Sequence, residues 1–103
     1  MSGKDKQLEH SEIVQALEER VRGRYNLTMT EVHVRDPETG RVVGEIDLVG
    51  IVDGQWDIYE VKVADNPQKA RAQLERLRGY LGGCGNITLY YYSGKNKELT
   101  EIK

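Results

Sequence analysis

The chain has few of the residues that mark specialised protein classes. Its 103 residues include one cysteine, two prolines and no phenylalanine. A single cysteine, Cys84, excludes an intrachain disulfide framework and a zinc site built on several thiolates. No apolar run approaches the roughly 20 residues that cross a bilayer, and residues 1–10 are charged, unlike a signal peptide. We therefore expect a cytoplasmic protein.

The chain also lacks a strong excess of charge of either sign. Its formal net charge is -2, with 31% charged and 38% hydrophobic residues. This balance excludes a protein that holds nucleic acid by bulk positive charge alone, and it is too apolar for a disordered chain. A chain of this length usually folds around one core. We therefore expect residues 1–103 to form a single domain with one functional site.

The spacing of apolar residues predicts two helices. The first covers residues 5–22. Its apolar stripe contains His10, Ile13, Val14, Leu17 and Val21. The second begins at Asn66 and Pro67, which suit an N-cap and a first helical position, and it ends at Gly82 and Gly83. Its stripe contains Ala70, Leu74, Leu77 and Leu81.

Runs of β-branched and aromatic residues predict the strands. These runs cover residues 28–35, 42–52, 55–63 and 87–92, with a short final strand at 99–102. Asp53 and Gly54 separate the second run from the third and suit a two-residue type I′ turn. The resulting core order is αβββαβ. This order predicts an α/β fold with a mixed central sheet flanked by helices.

The predicted turn also sets which residues face each other in the second hairpin. Asp47 then lies opposite Glu60, and Glu45 lies opposite Lys62. Because side chains alternate along a strand, these four project from one face. The other face receives Ile46, Leu48, Tyr59, Val61 and Val63. Like charges opposed on a sheet are unfavourable, so stability alone does not account for Asp47 beside Glu60.

A divalent cation would remove this conflict. Two carboxylates with waters and a substrate phosphate are a usual shell for Mg²⁺, and Mn²⁺ accepts similar ligands. Lys62 lies two residues after Glu60, so its side chain can reach the same site. There its ammonium could help deprotonate a metal-bound water and offset the charge that grows on a phosphate. The alternative is that Lys62 only neutralises Glu45 and Glu60 in a structural ion pair.

The segment around Asp47 and the later strand carry a resemblance to a known family. Gly44-Glu45-Ile46-Asp47-Leu48-Val49, a short hairpin, Ile58-Tyr59-Glu60-Val61-Lys62 and a helix with Gln73 resemble the PD-(D/E)XK nuclease superfamily. The resemblance covers nearly the whole chain, because that superfamily has a restriction-endonuclease-like αβββαβ core. Its nearest-looking branches are the archaeal Holliday-junction resolvases, the mismatch endonuclease NucS, YraN-like proteins and RecB-type nucleases.

The resemblance implies a metal-dependent nuclease that hydrolyses DNA phosphodiester bonds. By this similarity Asp47, Glu60 and the carbonyl of Val61 hold Mg²⁺ or Mn²⁺, and Lys62 is the catalytic lysine. Gln73 resembles a helix glutamine that contacts the site or the nucleic acid. The first helix of such families also supplies a metal ligand. His10 is the candidate here, with Glu9 and Glu12 as alternatives and a core histidine as the competing interpretation.

The partners follow from the same interpretation. On the second helix Lys69 and Arg76, like Arg71 and Arg78, are seven residues apart and share helix faces, which predicts a ridge that contacts phosphates. So small a body covers little DNA, so we expect a homodimer. The alternative function is a weak or inactive nuclease-like domain that binds nucleic acid or protein without cutting it. The core motif does not distinguish junctions, mismatches, flaps, single strands and duplex as substrates, or DNA from RNA.

Overall fold

The computed structural model describes residues 3–82 and 85–103. Cys84 and Gly83 lie outside the described residues. A short 3₁₀ helix, Arg22–Arg24, follows the first α-helix. The elements in chain order are α1 (Gly3–Val21), β1 (Leu27–Arg35), β2 (Val42–Val52), β3 (Gln55–Lys62), α2 (Pro67–Arg78), β4 (Asn86–Ser93) and β5 (Glu98–Ile102).

The five strands form one mixed sheet in the order β1-β2-β3-β4-β5. The pair β3 and β4 is parallel and is connected through α2, whereas the other three pairs are antiparallel. A parallel pair needs a crossover of this kind, because a tight turn joins only antiparallel neighbours. The α/β class with a mixed sheet and two helices is therefore confirmed. In the part of the chain that the structure describes, no helix is long and apolar enough to cross a membrane.

The two helices cover opposite faces of the sheet. Neighbouring residues of β2 and β3 accordingly divide between a core packed against α1 and a core packed against α2. The core under α1 contains Val14, Leu17, Val21, Leu48, Tyr59 and Val61. The core under α2 contains Val34, Ile46, Val49, Ile58, Ala70, Leu74, Leu77, Leu89, Tyr91 and Ile102. We call these the α1-side core and the α2-side core.

The structure confirms the predicted hairpin turn and the predicted start of α2, but not the predicted end of α2. Asp53 and Gly54 have φ values of 48° and 77°, both positive as a type I′ turn requires, so that turn is confirmed. The Asn66 side chain accepts a hydrogen bond from the Lys69 amide, which confirms the N-cap. The expected end of α2 at Gly82 and Gly83 is wrong, since α2 ends at Arg78. The Tyr80 and Leu81 amides bond to carbonyls three residues back, which tightens the chain out of the helix.

The expectation that Ile46 and Leu48 share a face is also wrong. Ile46 packs in the α2-side core and Leu48 in the α1-side core. Within the β1–β2 ladder, Thr30 pairs with Leu48 and Val32 pairs with Ile46, but the intervening residues Glu31 and Asp47 form no pair. Glu31 has a φ of 54°, which interrupts the regular alternation of side chains at this point.

Candidate active site

The site forms where β2 and β3 separate. Their ladder runs from Val52 and Gln55 to Leu48 and Tyr59 and stops there. The predicted register is confirmed as far as Leu48 and Tyr59, but the ladder does not continue to the expected pairs of Asp47 with Glu60 and of Glu45 with Lys62. Beyond Leu48 the ladder is replaced by a side-chain contact. The Val61 amide donates to the Asp47 carboxyl group (Oδ2, 2.8 Å) and not to a backbone carbonyl of β2.

A pocket of about 290 Å³ opens at this separation, between the N-terminal half of α1 and the C-terminal half of α2. It brings together residues of both helices and of β2 and β3, including most of the residues that the sequence singled out. The lining consists of His10, Gly44, Glu45, Asp47, Glu60, Val61, Lys62, Val63, Gln73, Arg76 and Leu77.

Asp47 and Glu60 are the two buried carboxyl groups of the pocket. They are 6% and 5% exposed, and their side chains are in hydrogen-bonding contact. Burial, followed by the negative charge of Asp47 and the hydrogen bond to it, raises the pKa of Glu60 to about 8, although Lys62 acts in the opposite direction. In the metal-free protein, burial and the neighbouring Asp47 side chain therefore favour the protonated form of Glu60 near neutral pH.

His10 is the α1 residue that reaches this pair. Its Nε2 atom lies 3.2 Å from the Val61 carbonyl oxygen and 3.4 Å from Asp47 Oδ2. The side chain keeps 30% of its exposure, so it is not a core residue like Val14. Glu9 and Glu12 are exposed, and neither lines the pocket. The apolar stripe of α1 thus ends in a polar side chain at the point where the site begins.

Lys62 lies on the other side of Glu60. Its Nζ atom is 3.1 Å from Glu60 Oε2 and donates to Gln73 Oε1 at 2.6 Å. Gln73 therefore fixes the ammonium beside the carboxyl pair. Glu45 is exposed at the rim, where its Oε2 atom is 3.4 Å from His33 Nε2. Lys62 does pair with Glu60, but Glu45 lies beside the His33 imidazole instead.

Two of the four basic residues predicted to form a ridge on α2, Arg76 and Arg71, make contacts in different places. Arg76 lines the pocket and donates from Nη1 to the Val43 carbonyl at 2.6 Å. Arg71 donates instead to the Lys103 carbonyl at 2.9 Å, at the end of the sheet, and its Nη1 atom lies 3.5 Å from Glu75. Lys69 and Arg78 are exposed. Of the four, Arg76 is the residue positioned to touch a molecule in the pocket.

Gly44 lines the pocket, and the sequence analysis gave it no role other than as part of the segment Gly44–Val49. A Cβ atom there would lie 2.6 Å from Leu77 Cδ2 and 3.3 Å from Arg76 Nη2. The glycine thus lets α2 approach β2 closely and brings Arg76 to the rim. Glycine inside a strand is a known sign of close approach, so this position was open to prediction.

The donor atoms of the pocket fit a hard divalent cation. In residues 3–82 and 85–103, no three His, Cys, Asp or Glu side chains form a preformed metal-binding group. The oxygen donors that do meet are two carboxyl groups and the Val61 carbonyl, beside the His10 imidazole. Magnesium is usually held by one or two carboxylates, with waters and substrate phosphates completing its shell. This donor set suits Mg²⁺ or Mn²⁺ better than a four-ligand structural zinc site.

Comparison of the chain with protein-family models, with curated proteins and with solved structures gave no match. What the protein does is therefore inferred from its own residues. The pocket between β2, β3 and the two helices brings two buried carboxyl groups together with Lys62 and His10.

Proposed function

We propose that the chain is a metal-dependent nuclease of the PD-(D/E)XK type that hydrolyses phosphodiester bonds in DNA. One observation carries the proposal: two buried carboxyl groups in contact, Asp47 and Glu60, with an ammonium 3.1 Å from the second, in an accessible pocket. The order of elements supports the same superfamily, since the aspartate lies on β2, the Glu60-Val61-Lys62 motif on β3 and Gln73 on the following helix.

The energetics of the carboxyl pair favour a role in binding over a role in folding. Burying two acidic groups side by side is costly unless a cation or a proton compensates them. In the metal-free protein a proton on Glu60 does so, as its raised pKa indicates. Mg²⁺ or Mn²⁺ would replace that proton, held by Asp47, Glu60 and the Val61 carbonyl. When bound, the ion would supply an activated water and would neutralise phosphate charge.

The other pocket residues have distinct tasks in this proposal. Lys62, fixed by Gln73, places positive charge where a phosphate oxygen becomes more negative during attack. His10 lies against the Val61 carbonyl and Asp47, where its imidazole can orient a water or bind the ion as a further ligand. Arg76 offers a guanidinium at the rim for a neighbouring phosphate. A homodimer would present two such pockets to a duplex.

The test is a cleavage assay on branched, single-stranded and duplex DNAs with Mg²⁺ or Mn²⁺. We expect cleavage of at least one substrate, abolished by a chelator and reduced by about 100-fold or more in Lys62→Ala, since charge-stabilising groups contribute on that order. Glu98→Gln, which changes an exposed carboxylate on β5, is the matched control and should leave cleavage unchanged. Binding of Mn²⁺ and DNA without any cleavage would contradict the proposal and indicate a binding module instead.

A further inference from the structure

The most unusual backbone conformation in the sheet is that of Glu31. Its φ of 54° lies in the left-handed region, in the middle of β1. Among the described residues, the other non-glycine positions with positive φ are Asp53 and Lys97, and both lie in turns between strands. An L-residue other than glycine, asparagine or aspartate adopts this region at a cost. Such a conformation persists where the surrounding structure imposes it, and it is often found at functional sites.

Both strands of the β1–β2 pair change face at this residue. On one side, Thr28 donates to Glu18 of α1 at 2.6 Å, and Leu48 packs in the α1-side core. On the other side, Val34 and Ile46 pack in the α2-side core. The register is unchanged across the switch, because Thr30 pairs with Leu48 and Val32 with Ile46. The change of face is therefore a local rotation centred on Glu31 and the unpaired Asp47, without an inserted residue.

This rotation decides where the carboxylate of Asp47 lies. In a regular strand Asp47 would share the face of Val49, which belongs to the apolar α2-side core. Instead its carboxylate accepts from the Val61 amide on the neighbouring strand and touches His10 of α1. The side chain thus extends between the two faces of the sheet, into the gap where β2 and β3 separate.

We propose that Glu31 is a positioning residue, whose left-handed backbone rotates β2 at Asp47 and holds the carboxylate against the Val61 amide. The claim that Glu31 thereby supports metal binding rests on the function proposed above. The claim that Glu31 positions Asp47 does not depend on that function. The side chain of Glu31 is exposed, and its nearest polar contact is Ser11 Oγ at 3.4 Å from Oε1. The device is therefore the backbone conformation, not the carboxylate, and glycine should serve as well as glutamate.

The experiment compares Glu31→Gly and Glu31→Val in the metal-free protein, with hydrogen exchange and the NMR chemical shift of the Val61 amide as readouts. Valine disfavours the left-handed region, so Glu31→Val should raise exchange at Val61 relative to the core amide of Ile58 by about tenfold or more. Glu31→Gly should match the wild type. Lys97→Val is the matched control: it places the same strain in the turn between β4 and β5, where φ is 56°, and should leave Val61 unchanged.

Calorimetric Mn²⁺ titrations of the same proteins separate this inference from the proposed function. We expect affinity to fall about tenfold in Glu31→Val and to be kept in Glu31→Gly and Lys97→Val. If the wild type binds no Mn²⁺ but Val61 responds to Glu31→Val alone, the proposed function fails and the positioning role stands. An unchanged Val61 amide in Glu31→Val, or an equal change in Lys97→Val, overturns the positioning role. If Glu31→Val does not fold, Glu31→Ala gives the same comparison with a smaller side chain.

Discussion

The two ends of β3 carry partly or fully buried carboxyl groups in very different surroundings. Near the turn, Asp57 accepts hydrogen bonds from the Tyr25 hydroxyl at 2.6 Å and from Gln55 Nε2 at 3.0 Å. At the other end, Glu60 meets a second carboxyl group, and its pKa is raised to about 8. The same strand therefore holds one carboxyl group, Asp57, that accepts hydrogen bonds from neutral donors. It also holds a second, Glu60, whose burial and acidic neighbour disfavour the ionised form. The first arrangement suits stability, and the second suits a ligand that brings positive charge.

The largest effect is expected at the opposed end. Glu60→Ala should lower Mn²⁺ affinity by more than about 100-fold, since loss of a direct ligand should exceed the 10- to 100-fold effect of a residue that only supports one. The folded state should be kept, because the change removes a buried acidic neighbour of Asp47. Calorimetric titration with Mn²⁺ measures the affinity, and Glu98→Gln is the control. An affinity equal to the wild type would remove Glu60 from the metal site.

The opposite pattern is expected at the satisfied end. Asp57→Ala leaves the Tyr25 hydroxyl and the Gln55 amide without this acceptor, which should cost about 1–3 kcal/mol of unfolding free energy. Mn²⁺ affinity should not change. Urea denaturation in a chelator gives the stability. If Asp57→Ala weakened metal binding as much as Glu60→Ala, the division of β3 into a structural end and a ligand end would be wrong.

The raised pKa of Glu60 also predicts how stability depends on pH without metal. Below the unfolded-state value of 4.5, Glu60 is protonated in both states and contributes no pH dependence. Between 4.5 and about 8 the unfolded chain loses this proton while the folded protein keeps it. Stability should therefore fall as pH rises through this window, by up to about 1.4 kcal/mol per pH unit, and level off above it.

Glu60→Gln should remove most of this decline, because glutamine does not titrate. Urea denaturation in a chelator from pH 5 to pH 8 compares the two proteins, with Glu98→Gln expected to keep the slope of the wild type. Equal slopes in the wild type and Glu60→Gln would show that Glu60 is not the group responsible.

The smallest effect is expected at His10. Because its imidazole lies 3.4 Å from Asp47 Oδ2 and keeps 30% exposure, His10→Ala should weaken Mn²⁺ binding by about tenfold with little loss of stability. A core histidine would give the reverse, a packing defect with unchanged affinity. A titration and a thermal melt of the same variant distinguish the two. Glu12→Ala, an exposed neighbour on α1, is the control.

Much of the fold was predictable because its signals are local. The type I′ turn follows from Asp53 and Gly54, and the N-cap of α2 follows from Asn66 before Pro67. The meeting of Asp47, Glu60, Lys62 and Gln73 in one pocket also follows, since turn register and helix order place them near each other.

The rest depends on contacts between distant parts of the chain. Glutamate has no local preference for positive φ, so nothing in the sequence indicates the change of face at Glu31. The end of the β2–β3 ladder depends on the bond between Asp47 and the Val61 amide. Arg71 and Arg76 lie in similar sequence surroundings on α2. They differ in the structure because Arg71 donates to the Lys103 carbonyl and Arg76 donates to the Val43 carbonyl.

The most direct test is a calorimetric Mn²⁺ titration of the wild type near pH 7 in buffers with different ionisation enthalpies, which counts the protons released. If the ion replaces the proton on Glu60, binding should release close to one proton, and Glu60→Gln should bind more weakly and release none from this group. Absence of Mn²⁺ binding, or binding that releases no proton and is unaffected by Glu60→Gln, would contradict a metal site built on the Asp47 and Glu60 pair.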